Sequence, residues 1–74
     1  MYSKQAIANN IRKARTGKGY SQEYVSYKLK MSQNGFSKIE QGVTNLTLER
    51  AIQLAELLEV DLIQLITAQA LQKI

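Results

Sequence analysis

Residues 22–42 read QEYVSYKLKMSQNGFSKIEQG, and they carry the signals of two short helices that are almost contiguous. A serine that can cap a helix N-terminus precedes each predicted helix, Ser21 before the first and Ser32 before the second. Gly42 can adopt the left-handed conformation that ends many helices, and we expect it to close the second one. Apolar residues recur at helical spacing on one face of the pair, at Val25, Leu29, Met31, Phe36 and Ile39.

Two short helices joined by a tight turn, the second beginning with small polar residues, form the helix-turn-helix motif that enters the major groove of DNA. Ser26 places a small side chain where the two helices must cross. The sequence therefore predicts a helix-turn-helix at about residues 22–42, with its second helix as the DNA-reading helix.

Three further helices extend outward from this segment, so the predicted fold is an all-α, compact five-helix domain over residues 1–74. Ser3 can cap the first helix, and Gly17 and Gly19 are expected to end it. The fourth helix should begin after Thr47, with an apolar face formed by Leu48, Ala51, Ile52, Ala55 and Leu58. Asp61 and Gln64 have the spacing of a capping box, which would open a fifth helix reaching toward the C-terminus.

Composition excludes most catalytic and metal chemistry. The chain contains neither Cys nor His, so it offers no thiol nucleophile, no imidazole base and none of the usual zinc or iron–sulfur ligand sets. We expect no enzyme activity, no metal, no other cofactor and no small-molecule ligand. The absence of cysteine and of any long apolar run favours a cytoplasmic protein that does not cross a membrane.

The charge is uneven along the chain. Eight basic and two acidic residues give residues 1–45 a net charge of +6, whereas residues 46–74 carry −2. A basic front half favours a polyanionic partner, although scattered surface cations alone would produce the same sum.

Residues 11–66 resemble the phage-repressor and Cro-like helix-turn-helix family, also called the xenobiotic-response-element family. The resemblance is carried by IRKAR, GYSQEYVSYKL, MSQNGFSKIEQG and NLTLERAIQLAELLEVDLIQLI, in the order and spacing of that family. Lys30 stands where the family usually has glycine, and a left-handed residue other than glycine costs about 1–2 kcal/mol. Leu46 and Glu59 also depart from the family pattern, which often has proline and glycine at these positions.

The helix-turn-helix interpretation assigns base reading to the polar residues of the third helix, Gln33, Asn34, Ser37 and Lys38. Glutamine and asparagine amides can pair with adenine, and lysine can donate to guanine acceptors. The alternative is an ordinary solvated helix face. Contacts with the DNA backbone are expected at Gln22, as the resemblance implies, and at Gln41, Thr44, Asn45 and Arg12. The resemblance also implies a structural ion pair between Arg15 and Glu40.

The C-terminal part has more aliphatic residues than one buried face requires. A second stripe, within a dimerisation helix expected over residues 62–74, suits a two-fold dimer seam and consists of Ile63, Ile66, Ala70 and Ile74. The alternative is that this stripe packs inside one monomer.

These features predict a sequence-specific transcriptional regulator of double-stranded DNA, a repressor that binds a palindromic operator as a homodimer. The alternative is a protein-interaction module, such as an antitoxin that neutralises a toxin partner. In that case the contact surface would include Tyr24 and Tyr27, which fall opposite the apolar face of the second helix.

Overall fold

The computed structural model describes residues 4–67, and these residues form five helices and no strand. The all-α, five-helix prediction is therefore confirmed. The helices are α1 (Lys4–Lys18), α2 (Gln22–Lys28), α3 (Gln33–Glu40), α4 (Leu48–Leu58) and α5 (Leu62–Ile66).

Side-chain caps begin the three central helices. The hydroxyl groups of Ser21, Ser32 and Thr47 accept hydrogen bonds from backbone amides three residues later, at 3.0, 2.9 and 3.1 Å. Each cap satisfies an amide that would otherwise have no partner in the first helical turn. The predicted capping box at Asp61 is wrong, because the Asp61 side chain makes no capping hydrogen bond at the start of α5.

Glycines in the left-handed conformation end α1 and α3. Gly19 has φ +78° and Gly42 has φ +76°, and glycine adopts this conformation without the steric cost of a Cβ atom. Gly17 does not end α1 as expected, because the helix continues through it to Lys18.

One hydrophobic core joins all five helices. Every helix contributes a side chain with almost no exposure, and these are Ile11, Val25, Phe36, Leu54 and Leu65. Burying one large apolar side chain contributes about 1.5–3 kcal/mol. The helix-turn-helix is thus fixed on a scaffold of α1, α4 and α5 through shared apolar contacts.

The buried face of α4 differs from the predicted one. Leu54 is completely buried, whereas Leu48 is 68% exposed and Ile52 is 40% exposed. The helix packs against α1 and α5, and this arrangement turns the stripe of Ala51, Leu54, Ala55 and Leu58 inward. Leu48 and Ile52 consequently lie at the edge of that stripe and not in the core.

The turn between α2 and α3 has the strained geometry that the sequence predicts. Lys30 has φ +59°, so a lysine occupies the left-handed position that favours glycine. The Met31 amide donates to the Ser26 carbonyl at 3.0 Å across this turn. Arg50 of α4 donates to the carbonyl of Leu29, the C-cap residue of α2, at 2.9 Å, so the scaffold supports the end of that helix.

Within residues 4–67, no helix combines the length and hydropathy needed to span a bilayer.

Candidate nucleic-acid interface

The polar face of α3 is presented to solvent while its apolar face is held in the core. Gln33, Asn34 and Lys38 are exposed, and Phe36 and Ile39 are buried on the opposite side. Three of the four predicted base-reading residues are therefore accessible to solvent, Gln33 and Asn34 at the start of the helix and Lys38 in its last turn.

Ser37 differs from the other predicted base-reading residues because it is only partly exposed. Its hydroxyl accepts a hydrogen bond from the side-chain amide of Gln41 at 3.1 Å. This bond links a predicted base-reading residue to a predicted backbone contact one turn later. Thr44 and Asn45, the other predicted contacts on this side, are exposed in the segment between α3 and α4.

A buried carboxylate anchors the C-terminal end of α3 to α1. The Glu40 side chain has no exposure, and its two oxygens accept hydrogen bonds from Arg15 Nε at 2.6 Å and Arg15 Nη2 at 3.1 Å. Arg15 also donates through Nη1 to the Tyr20 carbonyl at 2.9 Å. This two-bond geometry fixes α1, the segment before α2 and the end of α3 relative to one another.

Two predicted backbone contacts converge on the same glutamate. The Gln22 side-chain amide donates to Glu40 Oε1 at 2.8 Å, and Gln22 is partly exposed. Arg12 donates through Nη2 to the Glu40 carbonyl at 3.3 Å, and its Nε lies 4.0 Å from Glu40 Oε1. Sequence reasoning missed both links, although the three-residue spacing of Arg12 and Arg15 places them on one face of α1.

A second ion pair lies away from this cluster, at the end of α1. Lys18 Nζ is 2.5 Å from Glu59 Oε1, and this hydrogen bond raises the pKa of Lys18 above its ordinary value and lowers the pKa of Glu59. Glu59 itself has φ +58°, in the left-handed region that favours glycine. The pair joins the C-terminal ends of α1 and α4.

The aromatic residues of α2 lie on its outer surface, as expected. Tyr24 is 40% exposed and Tyr27 is 76% exposed. The Tyr20 and Tyr24 rings lie 4.7 Å apart between centroids, and Lys28 Nζ is 6.0 Å from the Tyr24 ring centroid. These contacts make a small aromatic and basic patch, which Tyr20 joins to the hydrophobic core.

An apolar groove of about 520 Å³ opens between α1, the segment after α3, α4 and the end of α5. It is lined in part by Ile7, Leu48 and Ile66. Ile63, one turn before Ile66, is 59% exposed. Ala70 and Ile74, the other members of the predicted dimer seam, lie outside the described residues. No cluster of carboxylates suited to a metal ion occurs among residues 4–67.

Comparisons with solved structures support the architecture. The restriction-modification controller protein C.AhdI from Aeromonas hydrophila is 26% identical, with 84% of this chain and 94% of that chain covered and a TM-score of 0.78. The hypothetical transcription factor NHTF from Neisseria is also 26% identical, with 96% and 84% covered and a TM-score of 0.82. The clp gene regulator ClgR from C. glutamicum, at 17% identity and a TM-score of 0.83 over 96% and 92%, shares the fold.

No curated protein matches the chain in a sequence comparison. A family model described as Helix-turn-helix matches residues 11–65, which include α2, α3 and most of the scaffold. The chain therefore belongs to the Cro/C1-type helix-turn-helix family of non-enzymatic, DNA-binding transcriptional regulators.

Proposed function

We propose that the protein is a repressor that acts in the cytoplasm on a palindromic operator. Two copies lay their α3 helices in successive major grooves, about 34 Å apart, and block access to the DNA. The observation that carries this proposal is the arrangement of α3, whose exposed Gln33, Asn34 and Lys38 are backed by the buried Phe36 and Ile39.

Base reading is assigned to the exposed amides and the lysine of α3, with Ser37 beside them. Asn34 and Gln33 can each form two hydrogen bonds with adenine, and Lys38 can donate to guanine. Because α3 is fixed by core side chains and by the Arg15–Glu40 pair, the helix backbone that carries these polar groups is held in place before DNA binds.

Backbone contacts are proposed on both sides of the reading helix. Gln22 and Arg12 lie together at the carboxylate of Glu40. Gln41, Thr44 and Asn45 lie after α3, where they can contact a second stretch of phosphates. Contacts of this kind fix the orientation of the protein on the duplex and carry no base information of their own.

Substitution of Asn34 tests the assignment of base reading. Asn34→Ala should relax the preference at particular base pairs by about 1–3 kcal/mol while leaving the helical content unchanged. Asn9→Ala is the matched control, because Asn9 is exposed on α1 and lies outside the proposed interface. If Asn34→Ala discriminates against altered operator sequences as strongly as the wild-type protein does, Asn34 is not a base-reading residue. Lys38→Ala provides the same test at a second position.

Dimerisation is proposed through the apolar surface beside α5. Ile63 is exposed and Ile66 lines the groove, while Leu48 and Ile52 add exposed apolar area on α4. Ala70 and Ile74 complete the seam in this proposal. A second copy that covers these side chains would remove apolar surface from water, which is the dominant favourable term in protein association.

The dimer proposal predicts that Ile63→Ser weakens self-association, measured by sedimentation equilibrium, and weakens operator binding with it. Tyr27→Ser is the matched control, because it removes an exposed aromatic side chain on α2 and should leave the dimer intact. If Ile63→Ser and Tyr27→Ser dimerise equally well, Ile63 does not lie in the dimer interface.

The exposure of Tyr27 supports a second candidate function, in which the chain is an antitoxin that binds a toxin through Tyr24 and Tyr27. Salt dependence distinguishes the two functions. The logarithm of the DNA association constant should fall linearly with the logarithm of salt concentration, in proportion to the phosphates contacted, whereas capture of a protein need not follow this relation.

A further inference from the structure

Glu40 does more in this structure than pair with Arg15. Its Oε1 atom accepts hydrogen bonds from both Arg15 Nη2 and Gln22 Nε2, at 3.1 and 2.8 Å. The carboxylate is completely buried, whereas Gln22 is partly exposed at the first residue of α2. A buried charge of the reading helix therefore holds a side chain that faces solvent.

We propose that Glu40 is a positioning residue for DNA binding, which fixes the Gln22 amide for a phosphate contact before DNA arrives. This inference rests on the proposed function, in which Gln22 contacts the DNA backbone. A side-chain amide nitrogen carries two hydrogens, so Gln22 can donate one to Glu40 and the other to a phosphate oxygen.

The energetic basis is the entropy of the glutamine side chain. A free glutamine loses rotamer freedom when it binds, and that loss reduces affinity. Here the hydrogen bond to Glu40 restricts Gln22 in the free protein, so the entropy is lost on folding and not on binding. The fixed Arg15–Glu40 geometry makes the carboxylate a rigid acceptor for this purpose.

The test is a comparison of Glu40→Gln with Glu59→Gln. Both remove one negative charge, but Glu59 is exposed and pairs only with Lys18 among its described contacts. In Glu40→Gln, one amide oxygen remains in place of the two carboxylate oxygens that accept three hydrogen bonds in the wild-type protein. Binding is measured on a duplex enriched from a random pool, below the melting temperature of each variant.

We expect Glu40→Gln to weaken DNA binding by about three- to tenfold, the cost of ordering one flexible side chain. This loss should nearly vanish in a Gln22→Ala background, where no glutamine amide remains to be positioned. Glu59→Gln, which removes the same charge away from the Gln22 contact, should not weaken binding.

The outcomes separate this inference from the proposed function. Gln22→Ala with the wild-type affinity would remove the phosphate contact and, with it, this inference. Weaker binding by Gln22→Ala, combined with an equal effect of Glu40→Gln in both backgrounds, would overturn the positioning role alone.

A measurement on the wild-type protein does not depend on the stability of any variant. Side-chain ¹⁵N relaxation should show the Gln22 amide nearly as ordered as the rigid backbone in the absence of DNA, and the exposed Gln33 amide much more mobile. Equal mobility of the two amides would overturn the inference.

Discussion

Replacement of Arg15 by methionine tests the buried ion pair that holds α3 on the scaffold. The change keeps an apolar stem but removes both hydrogen bonds to a carboxylate with no exposure. Removing one partner of a buried pair costs about 3–5 kcal/mol, because the remaining charge is left in the core without its counterion.

This cost is large relative to the total stability of so small a domain. A chain of 74 residues has a free energy of unfolding of about 4–11 kcal/mol, at the usual value per residue. A loss of 3 kcal/mol should lower the melting temperature by at least about 12 °C, since 1 kcal/mol corresponds to about 4–8 °C in domains of this size. Arg15→Met should therefore be partly unfolded at moderate temperature.

The assay is urea and thermal unfolding followed by circular dichroism, with two control variants. Arg12→Met removes a 54% exposed arginine whose Nε lies 4.0 Å from the same carboxylate, and it should cost only about 0–1 kcal/mol. Arg15→Met combined with Glu40→Met should be more stable than Arg15→Met alone, because it leaves no unpaired buried charge.

Two results would contradict a stabilising role for the Arg15–Glu40 pair. One is a loss for Arg15→Met no greater than that for Arg12→Met. The other is a loss of stability in the double variant that equals the sum of the losses for Arg15→Met and Glu40→Met alone. Coupled partners should deviate from such additivity.

Two further predictions concern the α2–α3 turn and the pH dependence of stability. Lys30→Gly should raise the free energy of unfolding by about 0.5–1 kcal/mol, because relief of the left-handed strain exceeds the entropic cost of glycine; an unchanged urea midpoint would contradict the strain. The lowered pKa of Glu59 stabilises the fold above its ordinary value of 4.5 and ceases to do so as pH falls through the folded-state pKa. The raised pKa of Lys18 stabilises the fold below 10.5 and ceases to do so as pH rises through its folded-state value. The stability difference between wild type and Glu59→Gln should thus be constant between pH 4.5 and 10.5, and it should shrink as pH falls through the folded-state pKa of Glu59 or rises through that of Lys18. A difference that does not shrink on acidification below pH 4.5 would contradict the pair.

Local signals in the sequence were sufficient to predict α2 and α3. The hydroxyl groups of Ser21 and Ser32 accept hydrogen bonds from backbone amides only three residues later, so the capping geometry depends on neighbouring residues alone. The left-handed conformation of Lys30 was an implication of the family resemblance, because the family usually has glycine at that position. Predictions of this kind succeed because short-range backbone geometry determines them.

The buried face of α4 could not be fixed by periodicity. Its sequence, LERAIQLAELL, contains apolar residues at several helical spacings, so more than one stripe is possible. The choice of Leu54 over Leu48 and Ile52 depends on where α1 and α5 lie, which is a property of the tertiary structure.

The site shows the same division between local and long-range information. The exposed positions of Asn34 and Lys38 follow from the helical period once Phe36 is placed in the core. The hydrogen bond from Gln22 to Glu40 joins residues 18 positions apart, and no local pattern predicts it. It forms because packing brings the N-terminus of α2 next to the C-terminus of α3.

Selection of bound sequences from a random duplex pool at near-physiological salt is the most direct test of operator recognition, because it measures specificity and not the attraction of a basic protein to DNA. A repressor that binds as a homodimer should enrich a palindrome whose half-sites are about one helical turn apart. A folded, helical protein that enriches no sequence would contradict it.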